Sequence, residues 1–371
     1  MKLVAEYVSP GHPDRLCDQI VESIVTFVTT KDREALCSLE CAVSNKKVFI
    51  DGVIVAGKDA LVITNSEIKD VVKKVYYDAG YNDSNETSYK WGPYLEDLEI
   101  ILDVNIETLV DGERRIRKYS DDQNIVTGYA INSKETDYLP IAHFLANFIG
   151  RKIVEYRDAT IFGPDFKVLV QLNYSGSVYT WDRLTVSIHH NRRKSFREMY
   201  AMMKSVIDKI LEELNTLGFN SLSKISNLNF YLNGAGDFVK GGPIGDSGLS
   251  GKKLCLDFYG PDIPIGGGAI SGKDSFKVDV CGAFRARELA LELVKQHNYY
   301  SVFVSLAWSP GEAEPYLIQA FEIKNNGVRL RIDDSLLPPK DWFSIECINY
   351  DLKLPEMKRR EKVVQGYMFS K

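Results

Sequence analysis

Two glycine-rich stretches constrain this chain more than anything else in it. GAGDFVKGGPIGDSGLSGKK occupies residues 234–253, and GGGAISGKDSFKVD occupies residues 266–279. Glycine lets backbone N–H groups approach an anion closely and turns the chain where other residues cannot. Between positions 252 and 277 fall four lysines, Lys252, Lys253, Lys273 and Lys277. Each supplies a point charge for phosphate oxygens. Two such turns suit an elongated polyanion better than a single phosphate. Asp246 and Asp279 lie within this basic set, where a carboxylate is a poor phosphate ligand. They make sense as ligands for a divalent cation, or for the ammonium group of a second substrate.

The second stretch nearly matches the phosphate loop of nucleotide hydrolases: Gly267, four residues, Gly272, then Lys273. That loop continues with Ser or Thr to hold magnesium, and here Asp274 follows. It also springs directly from a buried strand, whereas PDIPI intervenes here after LCLDF. A hydrolase of that kind is therefore the least favoured reading.

A chain of 371 residues is long enough for two or three domains. Its 44% hydrophobic and 26% charged residues are those of a soluble globular protein. A formal net charge of -5 argues against a general binder of nucleic acid or membrane surfaces. No apolar run approaches the roughly 20 residues that span a bilayer, and the start MKLVAEYVSPGHPD is too short in apolar residues for a secretory signal. Cysteines 17, 37, 41, 255, 281 and 347 are scattered, which predicts buried free thiols in a reducing cytoplasm. Cys37 and Cys41 have loose metal-ligand spacing, with no second pair to complete a site.

After SPGHPD, Leu16, Ile20, Ile24 and Val28 recur every fourth residue and predict a helix. Pro13 takes a first helical position and Asp14 the first turn, where the helix dipole favours an acid. ALCSLECAVSNKKVFIDGVIVAG reads as strands with Asp51-Gly52 as a hairpin turn. SEIKDVVKKVYYDAG reads as a helix closed by Gly80. Further on, residues 138–156, SFREMYAMMKSVIDKILEELNTLG and FRARELALELVKQH read as helices. FKVLVQL, RLTVSIHH, GKKLCLDFYG and YSVFVSLAW read as strands. Polar stretches near 81–95, 110–123 and 323–335 read as loops. Strands and helices thus mix in three similar portions.

Single residues say less. His12, between Gly and Pro at a helix start, is more often structural than catalytic when taken alone. Lys167 begins the strand KVLVQL, where an unpaired inward charge would be costly. His189 and His190 end a strand without partnered metal spacing.

Taken together, these pieces resemble one family, the S-adenosylmethionine synthetases. GHPDRLCDQI resembles its GHPDK-x-x-DQI signature, DDQNIVTGYA its GDQG-x-x-x-GYA segment, and GPDFK its RPDAK segment. Both glycine-rich stretches and GEAEP, residues 311–315, follow in family order. The resemblance implies an α+β fold of three similar domains around a pseudo-threefold axis. Expected portions are 1–105, 113–235 and 237–371, with interleaved segments. It implies synthesis of S-adenosylmethionine from ATP and L-methionine, with tripolyphosphate displaced and then hydrolysed. It also implies Mg²⁺, two per site, and K⁺, and a cytoplasmic homodimer with active sites between subunits, often paired into a tetramer.

Carried over by position, the resemblance gives His12 the oxygen leaving C5′, and Asp14 and Asp279 the Mg²⁺. Glu40 falls near the K⁺ site. Lys167, Lys253, Lys273 and Lys277 become polyphosphate and substrate lysines. Asp122 and Asp165 fall near the adenosine and methionine ends, Phe238 stacks on adenine, and Asp246 faces the methionine ammonium. Arg15 stands where the family has lysine and Lys252 where it has arginine, keeping charge but not geometry. Val53 replaces a glutamate on the methionine side, Leu102 is nearest to a glutamine of a gate segment, and Trp308 or Ser309 replaces a small aliphatic residue. The phosphate half is kept and the amino-acid half is altered. Two alternatives stand beside the synthetase reading: a relative using another thioether amino acid, and a catalytically weakened regulatory subunit.

Overall fold

Segments of alternating apolar and polar residues build three four-stranded sheets, each backed by helices that bury an apolar face against it. The computed structural model describes residues 1–57, 63–81, 89–175, 178–222, 229–365 and 369. Residues 82–88, inside one expected loop, lie outside that set.

The first sheet runs β1 (Lys2–Val8), β6 (Phe162–Ser175), β7 (Val178–His190), β8 (Phe230–Leu232) in spatial order. Helices α4 (Ile141–Tyr156) and α5 (Phe196–Thr216) complete its core. The second runs β4 (Glu99–Thr108), β3 (Lys47–Ala56), β2 (Leu36–Ser44), β9 (Gly248–Leu249). It packs on α1 (Pro13–Lys31) and α2 (Asn65–Ala79) through Leu16, Ile20, Ile24, Leu39, Ile50 and Val72, among others. The third runs β12 (Arg329–Arg331), β11 (Leu317–Ile323), β10 (Ser301–Trp308), β5 (Asn124–Ile131). Behind it lie α7 (Val278–His297) and α8 (Ile345–Leu352). Among the described residues, the remaining α-helices are short: α3 (Asp111–Ile116), α6 (Leu254–Asp257) and α9 (Arg359–Gln365).

The sheets exchange strands along the sequence. The N-terminal β1 joins the central hairpin β6–β7, β5 crosses to the C-terminal sheet, and β9 returns to the N-terminal one. Each exchanged strand carries a motif with it. β1 pairs antiparallel with β6 so that Val8 faces Lys167, and Ser9 then locks to the next segment. Its Oγ donates to the Pro164 carbonyl at 2.7 Å and accepts the Phe166 N–H at 2.8 Å. GPDFK and SPGHPD are thereby held side by side.

Five expectations need correction. Asp51-Gly52 is not a turn: β3 runs through it, and the hairpin reverses at Asn45-Lys46, with Asn45 at φ 56°. Gly52 does take a positive φ of 120°, the signal behind that reading, but in mid-strand, where a Cβ would lie 2.1 Å from the Ser38 carbonyl oxygen. GKKLCLDFYG holds the short helix α6 rather than a strand, its Leu256 and Asp257 N–H groups both turning back to the Lys253 carbonyl while the Asp257 side chain accepts from the buried Arg15. The expected gate segment is instead β4, paired parallel with β3 over its whole length. The supposed loops at 110–123 and 323–335 contain α3 and β12. α7 also starts at Val278, earlier than its apolar pattern indicates. Gly52→Ala should cost roughly 2 kcal/mol or more of stability, from the positive φ and the carbonyl contact together. Urea unfolding beside the wild type measures it, and an unchanged midpoint would remove the close-approach argument.

Candidate active site

Asp14, Asp18 and Glu22 recur every fourth residue, so they share one face of α1. All three are buried. Each accepts a backbone N–H from a glycine-rich stretch: Asp14 from Leu249 at 3.0 Å, Asp18 from Gly251 at 2.8 Å, and Glu22 from Gly272 at 3.0 Å. Each also meets a cation. Lys253 Nζ lies 2.7 Å from Asp14, Arg15 3.4 Å from Asp18, and Arg359 3.3 Å from Glu22. A buried carboxylate is costly unless paired and hydrogen-bonded, and here both conditions hold. The helix face is therefore a socket for both glycine-rich turns.

His12 caps α1. Its Nδ1 accepts the Asp14 N–H at 3.2 Å, which leaves the ring proton on Nε2. Burial, with Lys167 next, pushes the imidazole down to about 3, against a smaller opposing pull from Asp14. The side chain is thus a neutral N–H donor. Asp14 is pushed up by burial, but Lys253 and the Leu249 N–H more than offset this and hold it below the usual carboxylate range. Lys252 lies 3.6 Å from the same carboxylate. Lys167 is exposed at the start of its inner strand stretch. Asp165 is buried and accepts the Gly242 N–H at 2.7 Å. Burial pushes it up to about 6, while that N–H and Lys167 pull it down. His12, Asp14, Lys167, Lys252 and Lys253 form one group, with Asp165 fixing the turn beside it.

A second group gathers at the start of α7. Asp279 accepts from Asn124 Nδ2 at 2.5 Å and pairs with Lys273 Nζ at 2.8 Å. Gly268 passes so close that a Cβ there would sit 1.5 Å from the Asp279 carboxylate. These residues line a cleft of about 520 Å³ with Asp122, Gly267, Trp308 and Tyr316. Trp308 is buried, its ring against Gly282 of α7. Lys277 pairs with Asp121 at the mouth of a neighbouring cavity. No hydrogen bond or ion pair joins the two groups among the described residues, nor do these contain a cluster of three metal-ligating side chains.

Other expected residues lie apart. Arg15 is enclosed rather than open to a ligand: it is 1% exposed and donates to Asp257 at 2.5 Å. Asp246 is exposed and accepts the Ser247 N–H. Phe238 is half-buried, its N–H bonded to His190 Nε2. Glu40 accepts from Ser250 Oγ on the open face of the second sheet. There it stands in a lateral row with Asp51 and Asp103, three neighbouring acids that repel one another unless a cation intervenes. Val53 lies one row along, between Ser38 and Asn105. Leu102 points the other way, packed against the core.

Sequence reading passed over Asp18, Glu22, Asn124, Arg117 and Arg359. The four-residue spacing of acids on one face of the helix was the one available signal. It also left Asp274 unexplained. That side chain accepts the Cys37 and Phe276 N–H groups, both at 2.9 Å, and pairs with Arg117. It ties down the loop where a hydrolase would hold magnesium.

The architecture is that of an α+β protein gathering lysines and carboxylates on two glycine-rich turns, chemistry suited to a nucleotide polyphosphate. Models of the S-adenosylmethionine synthetase N-terminal, central and C-terminal domains match residues 1–96, 117–238 and 240–369. The chain is 32% identical to the S-adenosylmethionine synthase of Acholeplasma laidlawii over 84% of its length and 79% of that protein's. It is 33% identical to that of Helicobacter pylori over 85% and 79%. A solved S-adenosylmethionine synthetase from Campylobacter jejuni, described as unusual, shares the fold with a TM-score of 0.83 at 23% identity, covering 98% of this chain and 94% of that one. The chain belongs to the S-adenosylmethionine synthetase family.

A neutral His12 has a spectroscopic consequence. Its imidazole ¹⁵N shifts should stay those of the Nε2–H tautomer as pH falls from 8 to 5, while an unperturbed histidine titrates near 6.5. A His12 titration midpoint above 6 would overturn the assignment.

Proposed function

We propose that this chain joins ATP to L-methionine to form S-adenosylmethionine, and then hydrolyses the tripolyphosphate to phosphate and pyrophosphate. One observation carries the reading: two lysine-and-carboxylate groups on glycine-rich turns, in a chain of this family. The methionine sulfur uses a lone pair to bond to ribose C5′. The C5′–O5′ bond breaks, and its electron pair leaves with the tripolyphosphate. No proton moves in this step, so positioning and charge neutralisation do most of the work.

His12 donates its Nε2–H to the leaving O5′, a role that requires the neutral form burial enforces. Lys167, Lys253 and Lys273 neutralise the polyphosphate, with Lys252 and Lys277 at its flanks. Phe238 and Asp122 hold the adenosine, and Asp246 and Asp165 the methionine end. Arg15 acts from beneath, through its buried pairs with Asp257 and Asp18. Asp14 and Asp279 fit Mg²⁺, which takes one or two carboxylates and completes its shell with phosphate oxygens and water. That cation supplies charge neutralisation on the polyphosphate. Glu40, in its row of acids, fits K⁺.

We further propose a homodimer in which each site takes one group from either subunit. Support comes from the two groups on one chain sharing no hydrogen bond or ion pair among the described residues. The open face of the second sheet, with Phe49, Ile101 and Leu249 exposed, supports it as well. No helix among the described residues is long and apolar enough to cross a membrane, and a cytoplasmic setting is part of this proposal.

His12→Asn should slow adenosyl transfer by about 10²–10³, the loss expected for one donor to a developing oxyanion. Hydrolysis of added tripolyphosphate should fall much less, because C5′ takes no part. Equal losses in both assays would make His12 structural. Asp279→Asn should abolish most activity and raise the Mg²⁺ concentration needed for the rest. Full activity at unchanged Mg²⁺ would remove it from the metal site.

A further inference from the structure

We propose that Arg359 is a positioning residue for Lys273, acting together with Glu22 across the contact between α9 and α1. This rests on the reading of Lys273 as a polyphosphate ligand. The side chain of Lys273 starts from a peptide held on two sides. The edge of β2 holds one: Leu39 N–H donates to the Gly272 carbonyl at 2.9 Å, and Asp274 N–H to the Cys37 carbonyl at 3.1 Å. Glu22 and Arg359 hold the other. Glu22 accepts the Gly272 N–H, and Arg359 Nη2 donates to the Lys273 carbonyl.

Both side chains are buried, Glu22 at 0% and Arg359 at 4% exposure, and they pair with each other at 3.3 Å. The Lys273 carbonyl has no other hydrogen bond among the described residues. Without Arg359, the peptide between Lys273 and Asp274 keeps its N–H anchor and loses its C=O anchor. It can then tilt about the strand edge, and the Lys273 ammonium, several bonds away, swings with it. Displacements of about 1 Å at a substrate-positioning group cost up to roughly 10²-fold in rate. The C-terminal helix, far from the glycine-rich turns in sequence, thereby sets the aim of a catalytic lysine.

Breaking a buried pair from one side leaves a stranded charge, so Arg359→Met is paired with the double variant Glu22→Gln/Arg359→Met. The double variant keeps an acceptor for the Gly272 N–H and removes only the donor to Lys273. Folded variants, checked by circular dichroism and urea unfolding, are compared by calorimetric binding of tripolyphosphate and by steady-state kinetics. We expect about 10-fold weaker tripolyphosphate binding, kcat lower by about 10–100-fold, an unchanged KM for methionine, and partial recovery in Arg359→Lys. In a Lys273→Met background, Arg359→Met should add no further loss. A folded double variant that binds and turns over like the wild type overturns the proposal, as do additive losses in the Lys273→Met background. Wild-type protein that binds no tripolyphosphate overturns instead the reading of Lys273 itself, and the positioning role falls with it.

Discussion

The acid-bearing face of α1 organises this molecule. Asp14, Asp18 and Glu22 each take a backbone N–H from a glycine-rich stretch and each meet a cation. Glycine-rich segments carry the largest conformational entropy to lose on ordering. Their N–H groups need acceptors once out of water. A row of carboxylates spaced at one helical turn meets both needs and gives each turn a fixed seat. The cations oppose the cost of the acids, since burying three carboxylates beside one another drives protons onto them. Burial does push Asp18 and Glu22 up, with Arg15 and Arg359 pulling the other way.

The same economy explains the departure from a hydrolase phosphate loop. Asp274 spends both carboxylate oxygens on the Cys37 and Phe276 N–H groups and on Arg117. The loop is bound to a strand edge rather than poised over a helix N-terminus. Its lysine projects from a pinned peptide, which on the proposed reading suits a leaving group that must be held rather than a terminal phosphate that must be cleaved in place. Asp279 is placed by a different device. The backbone at Gly268 passes against its carboxylate, and Asn124 from the opposite sheet edge fixes one oxygen.

The residues expected on the methionine side differ from that expectation in setting as well as in identity. The segment expected as a gate is a full strand, and Leu102 belongs to the core beneath it. On the open face of that sheet lie Val53 and the row of Glu40, Asp51 and Asp103. Trp308 fills one wall of the Asp279 cleft. On the proposed reading, Asp246 and Asp165 are the handles left for the amino acid.

Local patterns determined much of this by themselves. The four-residue apolar repeat at Leu16, Ile20, Ile24 and Val28 marks α1, and Pro13 with Asp14 marks its start. The glycine-and-lysine turns mark where flexible backbone and cations gather. All of these are short-range properties of helix geometry, chain flexibility and charge. Asp51-Gly52 misled because the sequence shows that a residue needs a positive φ, not whether a turn or a close carbonyl imposes it. Tertiary structure alone decided that β1, β5 and β9 would cross between sheets, since strand partners are chosen by long-range burial. It alone decided what the polar residues of α1 would face. Nothing near residue 22 announces residues 272 and 359. Those contacts exist because the folded chain brings three distant backbones against one helix, where each unpaired polar group must find its partner.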